Sequence, residues 1–236
     1  ARMRLPPLTE GRLVQRRNRF VAEVAIEGGL VEAHCPNTGS MLGCKAPGSR
    51  VWLSRAENPE RKLSWTWEIV EALPGVLVGL HTGRPNGLVE EALRAGRVPE
   101  LGAYGAIRRE VRYGRENSRI DLLLHGEGLP SCYVEVKNVT AAVAGSVGYF
   151  PDAVTARGAK HLREMMAVVR EGGRAALVFC VQRGDVTAVR PADAIDPVYG
   201  QTLREALAVG VEAYALGAVV SPAEIALDRR LPVITG

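Results

Sequence analysis

The feature that most constrains the fold of this chain is a change in hydrophobic pattern near residue 83. Before this point, short stretches of β-type residues follow one another, and turns such as Gly28-Gly29, Pro47-Gly48 and Pro74-Gly75 separate them. Short strands at regular spacing with turn signals are typical of a small barrel or sandwich. The predicted strands are residues 11–16, 20–26, 30–34, 50–54, 64–71 and 75–80.

Beyond residue 83 the pattern alternates between strands and helices, which indicates an α/β sheet with helices on its faces. We predict helices at 88–95, at 157–170, and from the N-cap Asp196 to about residue 209. The predicted strands are residues 119–124, 132–139, 175–181 and 211–216. Two domains follow: an OB-like β-barrel in residues 1–83, since five or six strands in about 80 residues fit one, and an α/β domain in residues 84–236.

The 236 residues carry a formal net charge of +4, which alone is a weak indication of a polyanionic partner. No segment approaches the roughly 20 consecutive apolar residues of a membrane span, and the Pro-rich N-terminus does not resemble a signal peptide. We therefore expect a cytoplasmic protein without membrane contact. The sequence leaves the oligomeric state open, with a dimer among the options, and shows no small-molecule ligand.

The four cysteines contain no C-x-x-C pair, which disfavours a zinc site. His34 and Cys35 are adjacent and Cys44 follows nine positions later, so a redox or metal site remains an alternative. Thiols of cytosolic proteins are more often small, buried apolar groups.

The most informative chemical pattern is Asp121 followed, after thirteen residues, by Glu135-Val136-Lys137. If residues 125–131 form a hairpin loop, Leu124 pairs with Cys132 and Asp121 lies opposite Glu135. Opposed residues have Cβ atoms about 5 Å apart, and alternation places Lys137 on the same face as Glu135. Two neighbouring carboxylates repel each other, so we expect Mg²⁺ or Mn²⁺ between Asp121 and Glu135, with Lys137 orienting or deprotonating a water.

A structural cluster of charges on a solvated sheet face is the alternative for so short a pattern. It is opposed by the apolar surroundings of Glu135 and Lys137, because buried charges are costly without partners. Glu91, in the helix predicted at 88–95, is the expected third acid of the site, and Glu110 is its competitor.

Clusters of basic residues indicate where a polyanion such as a nucleic acid would bind. Arginines cluster on the first two predicted strands, among aromatic residues that serve either for base stacking or as core. Others are expected to approach the metal site from two sides. The predicted DNA-binding residues are Arg12, Arg16, Arg17, Arg19, Arg119, Arg157 and Lys160. Such binding would be mostly electrostatic and weakly sequence-specific, and it would weaken with salt.

Two resemblances support this interpretation. The strand–hairpin–strand order resembles the PD-(D/E)xK nuclease core, with Asp121 as its Asp, Glu135 and Lys137 as its ExK element, and Ile120 in place of the usual Pro. The segments 34–41 (HCPNTGSM), 118–121 (SRID), 135–137 (EVK), 150–155 (FPDAVT) and 157–162 (RGAKHL) resemble the SfsA family, the sugar fermentation stimulation proteins. This resemblance implies an OB-like domain, a nuclease-like domain, DNA binding and a regulatory link to sugar, particularly maltose, metabolism.

Two functions stay open at this point. The first is a DNA-binding protein with Mg²⁺-dependent phosphodiesterase activity, which the presence of Asp121, Glu135 and Lys137 together favours. The second is a non-catalytic DNA-binding regulator of sugar-metabolism genes that uses the nuclease fold as a scaffold. A sugar-handling enzyme is a poorer third, since the sequence contains no phosphate loop or glycosidase-like carboxylate pair.

Overall fold

The computed structural model describes residues 2–143 and 146–236, with Val143 described by its backbone alone. The strands are β1 Met3–Arg4, β2 Leu8–Arg17, β3 Val21–Ile26, β4 Gly29–His34, β5 Arg50–Arg55, β6 Trp65–Leu73, β7 Val76–Gly79, β8 Ala106–Tyr113, β9 Ser118–His125, β10 Cys132–Val139, β11 Ala142–Val143, β12 Val147–Phe150, β13 Arg174–Val181, β14 Ala188–Pro191, β15 Glu212–Val220 and β16 Glu224–Leu231. The helices are α1 Pro85–Arg94, α2 Ala156–Arg170 and α3 Pro197–Val209, with a 3-10 turn at Pro99–Leu101.

The N-terminal domain is a β-barrel, as the strand pattern predicts. Its six strands have the order β4-β3-β2-β5-β6-β7, and an additional β4–β6 pairing closes the sheet on itself. Alternate residues point inward, so Leu13, Val24, Leu53 and Trp67 are buried in one apolar core. The strands therefore form a closed barrel whose loops are available for contacts with the second domain.

The C-terminal domain is built on a seven-stranded mixed sheet of order β1-β16-β15-β13-β10-β9-β8. β13 is the central strand and is buried along almost its whole length, which explains its uninterrupted apolar sequence. One face packs against α1 and the other against α2 and α3. A small sheet of order β11-β12-β14 lies beside it.

One structural detail changes the predicted division of the chain. β1 pairs antiparallel with β16, so Met3 and Arg4 belong to the large C-terminal sheet and not to the barrel. The barrel ends with β7, and α1 begins six residues later. The N-terminal segment thus fastens the barrel to the second domain.

The N-caps of helices α2 and α3 are hydrogen-bonded to each other. The Asp196 carboxylate accepts the Tyr199 amide at 2.9 Å as N-cap of α3, and it also accepts the Thr155 amide at 2.8 Å. Thr155 in turn caps α2 by accepting the Gly158 amide at 2.9 Å. Since capping groups satisfy amides that the helix cannot, this arrangement fixes the first turn of α2 over the sheet. Within the described residues, no helix is long and apolar enough to cross a membrane.

Candidate functional site

The site begins where strands β9 and β10 separate. Their antiparallel pairing has the predicted register, with Leu124 opposite Cys132, and continues to Leu122 opposite Val134. At the next position the ladder stops, so Asp121 and Glu135 are not the directly bonded pair that we expect from the sequence. Instead, Asp121 Oδ2 accepts the Val136 amide at 2.7 Å. The carboxylate replaces the missing strand partner of that amide, which holds Asp121 next to β10.

Glu135 is the buried centre of the site. Its Oε1 lies 3.0 Å from Lys137 Nζ and 3.0 Å from His161 Nδ1, and Lys137 Nζ lies 3.0 Å from the same imidazole nitrogen. Its second oxygen, Oε2, is buried without a hydrogen-bond partner among the described residues. A carboxylate oxygen in that state has an unused coordination position.

The two acids have pKa values shifted in opposite directions. Burial, and then the charge of Glu135, raise the pKa of Asp121 to about 6. Burial also acts to raise the pKa of Glu135, but hydrogen bonds and charge from His161 and Lys137 outweigh it and lower that pKa. Neighbouring carboxylates whose environments shift their pKa values in opposite directions are characteristic of functional sites.

Further polar groups around Glu135 are also unpaired. The hydroxyls of Tyr113 and Tyr199 are buried without hydrogen-bond partners in the described part of the chain. Burial raises the pKa of both phenols, and the charge of Glu135 adds to each shift, so both rings lie near this acid. The site therefore holds more hydrogen-bonding capacity than its own side chains use.

The donor set fits a hard divalent cation. Within the described part of the chain, Asp121 Oδ1 makes only a long 3.4 Å contact with Asn86 Nδ2 and Glu135 Oε2 makes no hydrogen bond, so each acid has an oxygen to offer. The described residues contain no group of three or more His, Cys, Asp or Glu side chains arranged to hold an ion. Two carboxylates are nevertheless sufficient protein ligands for Mg²⁺, which usually keeps several waters.

The predicted third acid, Glu91, is not brought to Asp121 by any described hydrogen bond or ion pair. The residue of α1 that contacts Asp121 is Asn86, and Glu91 lies five positions on, about 140° around the helix. Glu90, nearer to the Asn86 face, pairs with Arg109. Glu110, the competitor, lies on β8 where the β8–β9 ladder omits the pair Glu110–Asp121, and its φ is 53°.

Most of the predicted arginine cluster on the barrel makes contacts within the domain, and phosphate binding by these residues stays a prediction. Arg16 donates to the carbonyls of Asn37 and Gly39 and supports that loop. Arg17 pairs with Glu23 and Glu32, and Arg12 donates to the Gly48 carbonyl. Arg19 is exposed in the turn between β2 and β3. The sequence pattern shows that these arginines cluster, but it does not show which carboxylates or carbonyls lie opposite their guanidinium groups.

The basic residues of the second domain lie nearer to the acids. Arg119 is two residues before Asp121 on the same strand, and thus on the same face of β9. It is exposed and directly opposes Arg112 of β8, a like-charged pair that is unfavourable without an anion nearby. Arg157 and Lys160 lie in the first two turns of α2, and Arg157 Nε is 3.5 Å from His161 Nε2.

His161 reaches the site from helix α2 and contacts both Glu135 and Lys137. It is buried, one turn after Arg157, on the face of α2 that also buries Gly158, Leu162 and Met165. The i, i+3, i+4, i+7 spacing of these residues was the available signal. By contrast, Cys35 and Cys44 pack in the barrel core as free thiols, where Cys35 Sγ lies 3.2 Å from the Asn37 carbonyl and Cys44 Sγ lies 3.7 Å from that of Thr140.

Comparisons with known proteins agree with this two-domain description. Residues 14–80 match the SfsA N-terminal OB domain, and residues 83–224 match the sugar fermentation stimulation protein RE domain. A sugar fermentation stimulation protein homolog of Alkalilimnicola ehrlichii is 60% identical over 230 residues, which cover 96% of this chain and 97% of the relative. The homolog of Geobacter metallireducens is 60% identical over 234 residues, covering 98% and 100%.

The solved structure of Pyrococcus furiosus SfsA in complex with Ca²⁺ is similar over the whole chain. It is 29% identical, has a TM-score of 0.88, and covers 98% of both chains. The present structure thus combines an N-terminal OB domain with a C-terminal SfsA domain built on a mixed sheet with flanking helices, and the chain belongs to the SfsA family.

Proposed function

We propose that this protein binds DNA and cleaves its phosphodiester backbone with a divalent metal ion, Mg²⁺ or Mn²⁺, held by Asp121 and Glu135. One observation carries the proposal: Oε2 of buried Glu135 has no hydrogen-bond partner among the residues that the structure describes, and it lies beside an Asp121 carboxylate that is anchored on the adjacent strand. A purely structural cluster would be expected to pair that oxygen, since an unsatisfied buried acceptor is costly.

The similar Pyrococcus furiosus protein supports divalent-cation binding, because its structure is a complex with Ca²⁺. Calcium and magnesium share a preference for carboxylate and water oxygens, although they differ in coordination number and distance. A bound divalent ion would lower the pKa of a coordinated water and stabilise negative charge on the phosphate.

The residues of the chain have separate roles in this proposal. Asp121 and Glu135 supply one oxygen each to the ion. Lys137, fixed by Glu135 and His161, places an ammonium where it can orient the attacking water or balance charge on the phosphate. Arg112 and Arg119 are available for phosphates beside the cleaved bond. His161 positions Lys137 and Glu135 from α2.

A second candidate function is a non-catalytic DNA-binding regulator of sugar-metabolism genes. The name of the relatives, sugar fermentation stimulation protein homolog, favours it. Both functions use the same basic surface, so they differ in whether the bound DNA is cut.

Cleavage assays separate the two functions. The purified protein, Asp121→Asn and Lys137→Met are each incubated with single-stranded, duplex and branched DNA in Mg²⁺ or Mn²⁺, with Lys45→Met as a matched control on an exposed barrel loop. We expect the wild type and the control to cleave DNA, and the cleavage rate of both site variants to fall at least about a hundredfold. No protein should cleave DNA in EDTA, because the metal is removed. Binding without cleavage supports the regulator, and equal cleavage in all four proteins rejects the assigned site.

A further inference from the structure

A basic cavity on the N-terminal domain lies outside the site described above. It has a volume of about 470 Å³ and opens at the end of β4, beside the loop between β5 and β6. Two cations and two histidines are among the six lining residues, and none of the six is acidic. The lining residues are His34, Arg61, Lys62, Leu63, Thr66 and His81.

Hydrogen bonds orient the donor groups that line this cavity. His81 Nδ1 accepts the Gly83 amide at 3.0 Å, so a neutral His81 carries its proton on Nε2. Arg61 Nη2 lies 3.1 Å from Thr66 Oγ1, which orients the guanidinium beside the cavity. Burial, followed by the charge of Arg61, lowers the pKa of His34. The cavity therefore presents N–H and O–H donors together with positive charge.

The acid that acts on His81 does not neutralise the cavity. Glu68 acts on His81 electrostatically, but its carboxylate is buried and engaged by Arg84, with Nη2 3.0 Å from both oxygens. Arg61 and Lys62 also make the cavity unsuitable for a metal cation, although His34 and His81 could otherwise serve as ligands. A phosphate group, which accepts several hydrogen bonds and carries negative charge, matches the donors present.

The cavity is connected to the candidate metal site by a short segment. His81 lines the cavity and Asn86 contacts Asp121, and five residues of chain span at most about 18 Å. The Arg84–Glu68 ion pair fixes this segment against the barrel. One nucleic-acid strand could therefore contact both places.

We propose that the cavity lined by His34, Arg61, Lys62, Thr66 and His81 binds a backbone phosphate of a nucleic-acid strand whose neighbouring phosphates reach Asp121 and Glu135. This rests on the proposed DNA binding, but it does not require cleavage. In this proposal the cavity, and not Arg16 and Arg17 with their internal contacts, is the main phosphate contact of the barrel.

Histidine resonances provide the first test, since the chain has only four histidines. Inorganic phosphate is titrated into metal-free protein, and the side-chain NMR signals of all four are followed. We expect the signals of His34 and His81 to shift together, that of His125 to stay constant, and the response to disappear in Arg61→Ala/Lys62→Ala. Persistence of the shifts in that double variant, or no shift of His34 and His81, would overturn the proposal.

The second test uses a short single-stranded oligonucleotide in EDTA, with binding followed by fluorescence anisotropy. Arg61→Ala/Lys62→Ala should weaken affinity about tenfold and reduce the salt slope by about 1 to 2, while Lys45→Ala leaves both unchanged. If the double variant weakens the binding of inorganic phosphate but not that of the oligonucleotide, the cavity binds small anions and the nucleic-acid assignment is wrong. Oligonucleotide binding in EDTA stays measurable when cleavage fails, so the two proposals can fail separately.

Discussion

At the scale of single residues, Asp121 and Glu135 show how local contacts shift the pKa values of two similar carboxyl groups in opposite directions. Glu135 has two cationic or polar neighbours, Lys137 and His161, and its pKa is lowered. Asp121 accepts a backbone amide but is more influenced by burial and by the charge of Glu135. Asp121 thus contributes an unfavourable free energy to the metal-free fold at neutral pH, which a bound cation would remove.

This imbalance predicts a gain in stability for Asp121→Asn without metal. The folded-state pKa of about 6 exceeds the ordinary 3.8, so the native chain binds more protons between these values and loses stability as pH rises through them. At pH 8, in EDTA, we expect urea unfolding to show the variant about 2 kcal/mol more stable. The difference should disappear below about pH 3.5. Equal or lower stability of the variant at pH 8 would show that Asp121 is not destabilised.

At the scale of elements, the strands with strong apolar patterns could be predicted and the charged ones could not. β10 and β13 agree closely with the sequence expectation because burial imposes a clear pattern on them. β8 is not predicted, since it is an edge strand in which Arg108, Arg109 and Glu110 are exposed and no apolar residue is fully buried. β16, sequence EIALDRRL, is not predicted either: it lies inside the sheet and buries Ile225, Leu227 and Leu231, but the run Asp228–Arg230 interrupts its apolar alternation.

The residues of the site likewise fall into those that the sequence predicts and those that it does not. Asp121, Glu135 and Lys137 could be found because they lie on one hairpin, where strand alternation and loop length determine their positions. His161 and Asn86 come from α2 and α1, and their contacts depend on how those helices pack. Local spacing does not determine that packing, so Glu91 as the third acid stays a prediction from the helix pattern alone.

The hairpin between β8 and β9 gives a prediction at this scale. Gly114 has φ of 76°, and a Cβ there would collide with the Glu164 carboxylate, which also accepts the Glu116 amide at 3.0 Å. Gly128, in the next hairpin, has φ of 72° and open space around it. By urea denaturation, Gly114→Ala should cost more than about 2 kcal/mol and Gly128→Ala about 1 kcal/mol. Equal losses would remove the role assigned to Glu164.

At the scale of the whole molecule, the two domains are held together at several points. Ser40 Oγ donates to the Asp152 carbonyl at 2.9 Å, and the Gly79 amide donates to the Gln182 carbonyl at 2.9 Å. β1 adds a strand to the distant edge of the C-terminal sheet. These contacts place the barrel cavity and the candidate metal site in a fixed relation.

We therefore predict that both domains unfold together. Differential scanning calorimetry in EDTA should show a single transition, with a calorimetric enthalpy close to the van't Hoff enthalpy. Two resolved transitions would mean that the barrel moves independently, and that a strand could not be held at a set spacing between the two places.

The central claim is that Asp121 and Glu135 bind one divalent cation between them. Isothermal titration of Mn²⁺ into the wild type, Asp121→Asn, Glu135→Gln and the control Glu90→Gln tests it directly. We expect one site in the wild type and the control, with affinity lowered at least about tenfold in each site variant, because each removes a charged oxygen ligand. Unchanged Mn²⁺ binding in both site variants would contradict the account.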